Sequence, residues 1–217
     1  MTEKIEISYK QELLRKGIHL CSLSIPIGYA LTDKEFALTI LIPLTIIIVF
    51  SDILSKKVKV VGDLIVLIFG KMLREHELDD GKLVLNGASW VMISSIITIT
   101  VFPKVIAVTG FSILIISDTI AALYGRKYGK TPFFNKSVEG SVAFALSAFM
   151  VVLVAGAVYG MPWTFFVFGI IGSIIATFAE AASSYLKFDD NLTIPVSFGI
   201  IVWLGGIFSE AIGYPFL

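Results

Sequence analysis

An aspartate, two alanines and a glycine-flanked arginine, all within a dozen residues, carry the clearest chemical content in this sequence. The run is Ser117-Asp118-Thr119-Ile120-Ala121-Ala122-Leu123-Tyr124-Gly125-Arg126-Lys127-Tyr128-Gly129. Shortly after it comes Asn135-Lys136-Ser137-Val138-Glu139-Gly140-Ser141. Asp118 closes a long apolar stretch, where an idle carboxylate costs on the order of 3 kcal/mol by insertion scales. Ala121, Ala122 and Gly125 follow at helical spacing and put a small-residue face beside it. That face suits either tight helix packing or a bulky ligand. Gly125 and Gly129 allow close backbone approach, and Arg126 has the planar fork that grips a phosphate. Ser137 is placed to cap a helix whose free N–H groups, with Lys136 beside them and Gly140 in the first turn, suit an anion. Glu139 reads either as a dipole partner or as a metal ligand. Lys127 and Lys130 read as ordinary topological charge.

Further acids join this set. Glu180 precedes Ala181-Ala182-Ser183-Ser184, and Asp189, Asp190 and Asn191 come soon after. Asp118, Glu180 and Asp190 would form the hard oxygen ligands that magnesium prefers. Asp189 reads as a solvated loop charge, and Glu210 as an interfacial residue of the far face. His19, with Arg15 and Lys16 on neighbouring turns, could meet a phosphate or assist a hydroxyl. Arg74 and Glu77, three apart, form either a surface pair or a second wall of the site. Asn86 and Trp90 read as packing and interface anchoring. No histidine–cysteine cluster supports zinc, and there is no G-x-x-x-x-G-K-[ST] loop or soluble protein-kinase signature.

These residues need a scaffold, and composition names it. The 217 residues are 56% hydrophobic and 16% charged, with a mean hydropathy of +0.89; soluble domains are nearer a quarter charged. Apolar runs such as 36–50 and 106–116 predict an all-α, polytopic integral membrane bundle in one domain, 1–217. The expected elements are a cytoplasmic surface helix within 1–16 and spans near 17–32, 36–54, 83–102, 104–123, 139–159, 163–185 and 194–214. Residues 60–73, short and carrying Asp63, predict an interfacial or re-entrant helix. A polar cytoplasmic loop, 125–138, is the expected phosphate-binding segment. The total is about seven spans plus one interfacial helix. Seventeen basic and seventeen acidic residues cancel, which gives no case for a nucleic-acid partner. The single Cys21 excludes an internal disulfide and reads as a small buried hydrophobe. The N-terminus shows no cleavable-signal pattern.

Charge orients the bundle. If 60–73 does not cross, one face collects the lysines and arginines near 4–16, 56–59, 71–82, 126–136 and 187, and the other keeps Lys34 and Lys104. The positive-inside rule then puts the basic face, and the site, in the cytoplasm, with the N-terminus in and the C-terminus out. A prokaryotic plasma membrane is the expected location. Nothing in the sequence requires or excludes a homodimer. A chain this apolar that binds phosphates at the membrane face points to a lipid substrate, whose own hydroxyl would be the nucleophile.

Taken together the motifs resemble the family of CTP-dependent membrane lipid kinases that contains dolichol kinase, phytol kinase and yeast-type diacylglycerol kinase. The resemblance rests on Glu12-Leu13-Leu14-Arg15-Lys16-Gly17-Ile18-His19, Arg74-Glu75-His76-Glu77, the 118–129 run, Lys136-Ser137-Val138-Glu139-Gly140-Ser141, Glu180, and Asp190-Asn191-Leu192-Thr193-Ile194-Pro195. The family's usual Gly-Asp before the alanines is Ser117-Asp118 here, which leaves the acid in place. The compact length is similar to microbial phytol-kinase-like members. The resemblance implies CTP as phosphoryl donor, Mg2+, and a membrane lipid alcohol as acceptor. It implies Asp118, Glu180 and Asp190 as metal ligands, Asp118, His19, Glu139 and Glu180 in catalysis, and Arg15, Lys16, Arg74, Glu77, Gly125, Arg126, Gly129, Lys136, Ser137, Gly140 and Asn191 around the nucleotide. Two alternatives remain: a cytidylyltransferase that would release pyrophosphate, and an ion-coupled transporter.

Overall fold

The computed structural model describes residues 9–70, 85–186 and 188–217. Among them the chain forms nine helices and one short ribbon: α1 Tyr9–Cys21, α2 Ser24–Leu31, α3 Lys34–Lys57, α4 Lys59–Phe69, α5 Gly87–Val101, α6 Lys104–Tyr128, β1 Pro132–Phe133, β2 Lys136–Ser137, α7 Val138–Val158, α8 Trp163–Leu186 and α9 Asp190–Ala211. Five helices, α3, α6, α7, α8 and α9, are long and apolar enough to cross a membrane. The 24 residues of α3 reach about 36 Å, more than a hydrocarbon core of about 30 Å. The 15 residues of α5 reach only about 22 Å. The 11 residues of α4 reach about 16 Å.

The first apolar stretch is two helices rather than one. Pro26 has no N–H to donate to the Ser22 carbonyl, and the N–H of Ile25 takes that carbonyl at 3.0 Å instead. The N–H groups of Ser22 and Leu23 likewise close tight turns onto His19 and Leu20. The helix before this break exposes Leu13, Leu14 and Ile18 but buries Glu12 and Lys16. Cys21, expected inside, is exposed and free.

α6 is the central element and packs against α1, α2, α5, α7 and α9. Ile106, Ile113, Leu114 and Ile115 on it are fully buried, as are Phe144, Phe165 and Phe198 on the helices around it. At one end of the bundle Lys34 donates to the Thr100 carbonyl and Lys104 to the Thr32 carbonyl, each at 2.6 Å. These two lysines therefore neutralise the C-terminal carbonyls of α5 and α2. At the other end the C-termini of α3, α6 and α8 meet the N-termini of α5, α7 and α9, and every charged cluster described below lies there.

Two expectations about that end need correction. The helix does not stop at residue 123: α6 runs to Tyr128, so Gly125 and Arg126 are helical and the loop is only 129–137. Gly125 serves packing rather than loop freedom, because a Cβ on Gly140 would stand 3.2 Å from its Cα. Gly129 is needed for space as well; a Cβ there would fall 2.3 Å from the Gly125 carbonyl oxygen and 2.6 Å from Ser137 Oγ. Likewise 189–191 is not a free loop. Asp189 caps α9 by accepting the N–H of Asn191, so Asp190 and Asn191 form its first turn, and Pro195 lies inside the helix.

Candidate active site

α1 carries Glu12, Lys16 and His19 on one face, at spacings of four and three, and lays that face on α6. α6 answers with Asp118 and Arg126, two turns apart along the same side. Lys16 Nζ donates to Asp118 Oδ2, with both side chains buried. His19 Nε2 lies 3.6 Å from the same oxygen and has no hydrogen-bond partner.

Glu12, 2% exposed, receives Arg15 through Nη2 at 2.6 Å and Nε at 3.2 Å. Arg126 Nη2 lies 3.5 Å from its other side. Burial pushes the Glu12 carboxyl up, but Arg15, with Lys16 and Arg126, more than offsets this and holds it below the usual range. Arg15 loses hydration as well, and Glu12, Asp118 and Asp190 hold its guanidinium in the charged form.

The second half of the cluster comes from the ribbon and the last two helices. Lys136 Nζ lies 2.7 Å from Glu180 Oε1 on α8 and 3.6 Å from Asp190 Oδ2 on α9. Burial works against its charge, yet Glu180, Asp190 and Asp118 hold the ammonium above the ordinary lysine range. Asp118 acts on Lys136 and Asp190 on Arg15 through their charges, so the two halves share one electrostatic neighbourhood. Arg15, Lys16, Arg126 and Lys136 thus balance Glu12, Asp118, Glu180 and Asp190.

Of the expected site residues, the structure brings together Arg15, Lys16, His19, Asp118, Arg126, Lys136, Glu180 and Asp190. Asn191, buried, donates its side-chain amide to Asp189 at 2.6 Å and so fixes the start of α9. Ser137 caps α7, accepting from the Gly140 N–H at 3.1 Å. Gly125, Gly129 and Gly140 shape the α6–α7 junction. Glu139 stands apart: its carboxylate accepts the N–H groups of Lys130 and Thr131 at 3.0 and 3.2 Å and braces the loop. Arg74 and Glu77 lie outside the described residues.

Two buried acids were not singled out from the sequence. Glu12 is one; its signal was an acid three and four residues before Arg15 and Lys16 on a helix with an apolar continuation. Asp52, 2% exposed, is the other. It accepts the Asn86 N–H at 2.8 Å and the Ser89 hydroxyl at 3.0 Å, with Lys56 3.6 Å away, and joins the end of α3 to the start of α5.

Among the described residues no three His, Cys, Asp or Glu side chains converge as a ready metal cage. The donor chemistry fits a hard divalent cation in another mode. Glu180 and Asp190 reach one common point, now held by Lys136, and Mg2+ typically uses one or two carboxylates plus substrate phosphates.

Comparison with known proteins bears on this geometry. An uncharacterized protein of Rickettsia prowazekii is 33% identical over 187 residues, 86% of this chain and 91% of that protein. The chain belongs to the same family as this rickettsial protein. It is also 35% identical over 153 residues to CTP-dependent diacylglycerol kinase 1 of Schizosaccharomyces pombe, 63% of this chain and 66% of the kinase. A phytol kinase of Synechocystis is 30% identical over 105 residues, 46% of this chain and 45% of that enzyme. The chain is therefore a remote homologue of CTP-dependent diacylglycerol kinases and phytol kinase, and spans about two thirds of the first and under half of the second. No family model matches the chain, and no solved structure does.

Proposed function

We propose that this protein is a membrane lipid kinase that transfers the γ-phosphate of CTP to the hydroxyl of a lipid alcohol, an isoprenoid alcohol before diacylglycerol. The observation that carries the reading is Asp118: a buried carboxylate paired with Lys16 and faced by the unpartnered Nε2 of His19, 3.6 Å away. The remote homology to CTP-dependent lipid kinases supports the donor and the class of acceptor.

In this reading Arg15 and Arg126 turn from Glu12 toward the β- and γ-phosphates, and Lys136 meets the γ-phosphate from the ribbon side. Asp118, Glu180 and Asp190 would hold Mg2+, which supplies charge neutralisation and alignment of the triphosphate. The acceptor hydroxyl enters sideways from the bilayer. Its oxygen bonds to the γ-phosphorus as the bond to the β-phosphate oxygen breaks, and CDP leaves. The hydroxyl proton passes to Nε2 of His19, a buried nitrogen without a hydrogen-bond partner. Alignment and fixed charge, rather than covalent chemistry by the protein, lower the barrier. The stretch 17–32, from the end of α1 through α2, and α5 complete seven crossings, residues 9–16 and α4 lie along the cytoplasmic face, and the site opens to the cytoplasm.

Purified protein given CTP labelled on the γ-phosphate tests this. Labelled lipid phosphate is the expected product from geranylgeraniol, phytol or diacylglycerol. Labelled pyrophosphate with a CDP-lipid would replace the kinase by a cytidylyltransferase. No turnover with any lipid alcohol would leave transport.

A further inference from the structure

The candidate active site neutralises itself. Each acid assigned to the metal already carries an internal ammonium: Lys16 on Asp118, and Lys136 on Glu180 at 2.7 Å and Asp190 at 3.6 Å. The two lysines differ in what surrounds them. Lys16 is 1% exposed and fixed in α1. Lys136 projects from a strand of two residues, in a loop, and its side chain is 32% exposed. It can therefore move without a helix being unpacked. Nε2 of His19, buried beside Asp118 at 3.6 Å, has no hydrogen-bond partner.

We propose that Lys136 is an internal counter-cation that keeps the place of the metal, so that a divalent cation and a triphosphate enter this site only together. A free divalent cation would have to displace the ammonium from two carboxylates. The displaced ammonium would then sit near the cation with no new anion to meet. A free triphosphate would approach the cationic side chains but face Glu180, Asp190 and Asp118, three carboxylates that the two lysines Lys136 and Lys16 do not fully balance. When both arrive, the cation takes the carboxylates and Lys136 swings onto the phosphate. The coupling is reciprocal, since each ligand improves the site for the other by the same factor. The resting site neither scavenges metal nor exposes a row of unpaired buried charges to the membrane. This deepens the kinase reading and rests on it for the nature of the two ligands.

The test uses the full chain purified in detergent, with Mn2+ binding read by electron paramagnetic resonance in the absence of nucleotide. Wild-type protein is expected to bind Mn2+ at least tenfold more weakly than Lys136→Met, because the substitution uncovers Glu180 and Asp190. Lys136→Arg, which restores a cation, should return the weak affinity. Equal Mn2+ affinity in wild type and Lys136→Met would overturn the proposal. The wild type alone gives a second arm. Thermal shift with Mg2+, with the β,γ-methylene analogue of CTP or inorganic tripolyphosphate, and with both should show stabilisation far above the sum of the separate effects. Strictly additive shifts would also overturn it. Lipid phosphorylation is scored separately. A site uncovered by Lys136→Met in a protein that phosphorylates no lipid would keep the counter-cation and remove the kinase. Phosphorylation without such uncovering would do the reverse.

Discussion

Glu12 Oε2 and Arg126 Nη2 lie 3.5 Å apart, joining the first helix to the last turn of α6. Arg15 holds the other side of the same carboxylate at 2.6 Å. One buried acid thus sets the position of two guanidiniums from different helices, and the acid itself is too enclosed to reach a substrate. Glu12→Gln keeps the shape but removes the charge that holds both forks. We expect the KM for CTP to rise at least tenfold with a smaller change in kcat. Steady-state kinetics at saturating lipid check this, and a fall confined to kcat would place Glu12 in the chemistry instead.

The same residue gives a pH prediction. Its folded carboxyl is held below the ordinary value of 4.5. A depressed acid contributes stability that is fully present above its unfolded value and is lost as pH falls through the folded one. Wild-type thermal stability should therefore decline on acidification from about pH 5 downward, and Glu12→Gln should decline less. Parallel thermal melts of the two proteins between neutral and acidic pH measure it. Identical slopes would show that Glu12 has no linked proton.

Asp118→Asn keeps size and removes charge. Lys16 is then left buried without its counter-ion, and the site loses its central anion. Turnover should fall at least 100-fold, about 2.7 kcal/mol of transition-state stabilisation. Activity at matched protein level and saturating magnesium is the measurement. Near-wild-type turnover would remove Asp118 from the mechanism.

Much of this arrangement was legible in the chain. Asp118 and Glu180 stood out because an acid in an apolar run has a cost that something must offset. The helix order followed from apolar runs divided at Pro103, Pro162 and the polar loop expected over 125–138. What escaped was set by contacts between distant segments. Glu12 sits in a polar, surface-like stretch, and only the docking of α1 onto α6 buries it. Gly125 looked like loop punctuation, but Gly140 meets it across the helix pair, so α6 continues past it. Asp52, like Asp118, is an acid closing an apolar run, here with a lysine four residues on, yet its partners at Asn86 and Ser89 lie at the start of another helix.

The glycines of that junction separate packing from flexibility. A Cβ on Gly140 would stand 3.1 Å from the Ala121 carbonyl oxygen, 3.1 Å from Ser137 Oγ and 3.2 Å from the Gly125 Cα. Two of these atoms are backbone of α6, and the third caps α7, so none can swing away as a flexible side chain would. Gly140→Ala must therefore separate α6 from α7, at a cost of roughly 1–3 kcal/mol. It should also shift Ser137 and, next to it, Lys136. Gly17, on exposed α1, has nothing within 4 Å of such a Cβ. There the same substitution removes only glycine's helix penalty and should be neutral or stabilising by up to about 1 kcal/mol. Thermal melts of both variants in detergent, with lipid phosphorylation measured alongside, decide the point. Gly140→Ala should melt lower and lose activity, and Gly17→Ala should do neither. Equal behaviour of the two would mean that the close approach of α6 and α7 has no part in holding Lys136 over Glu180.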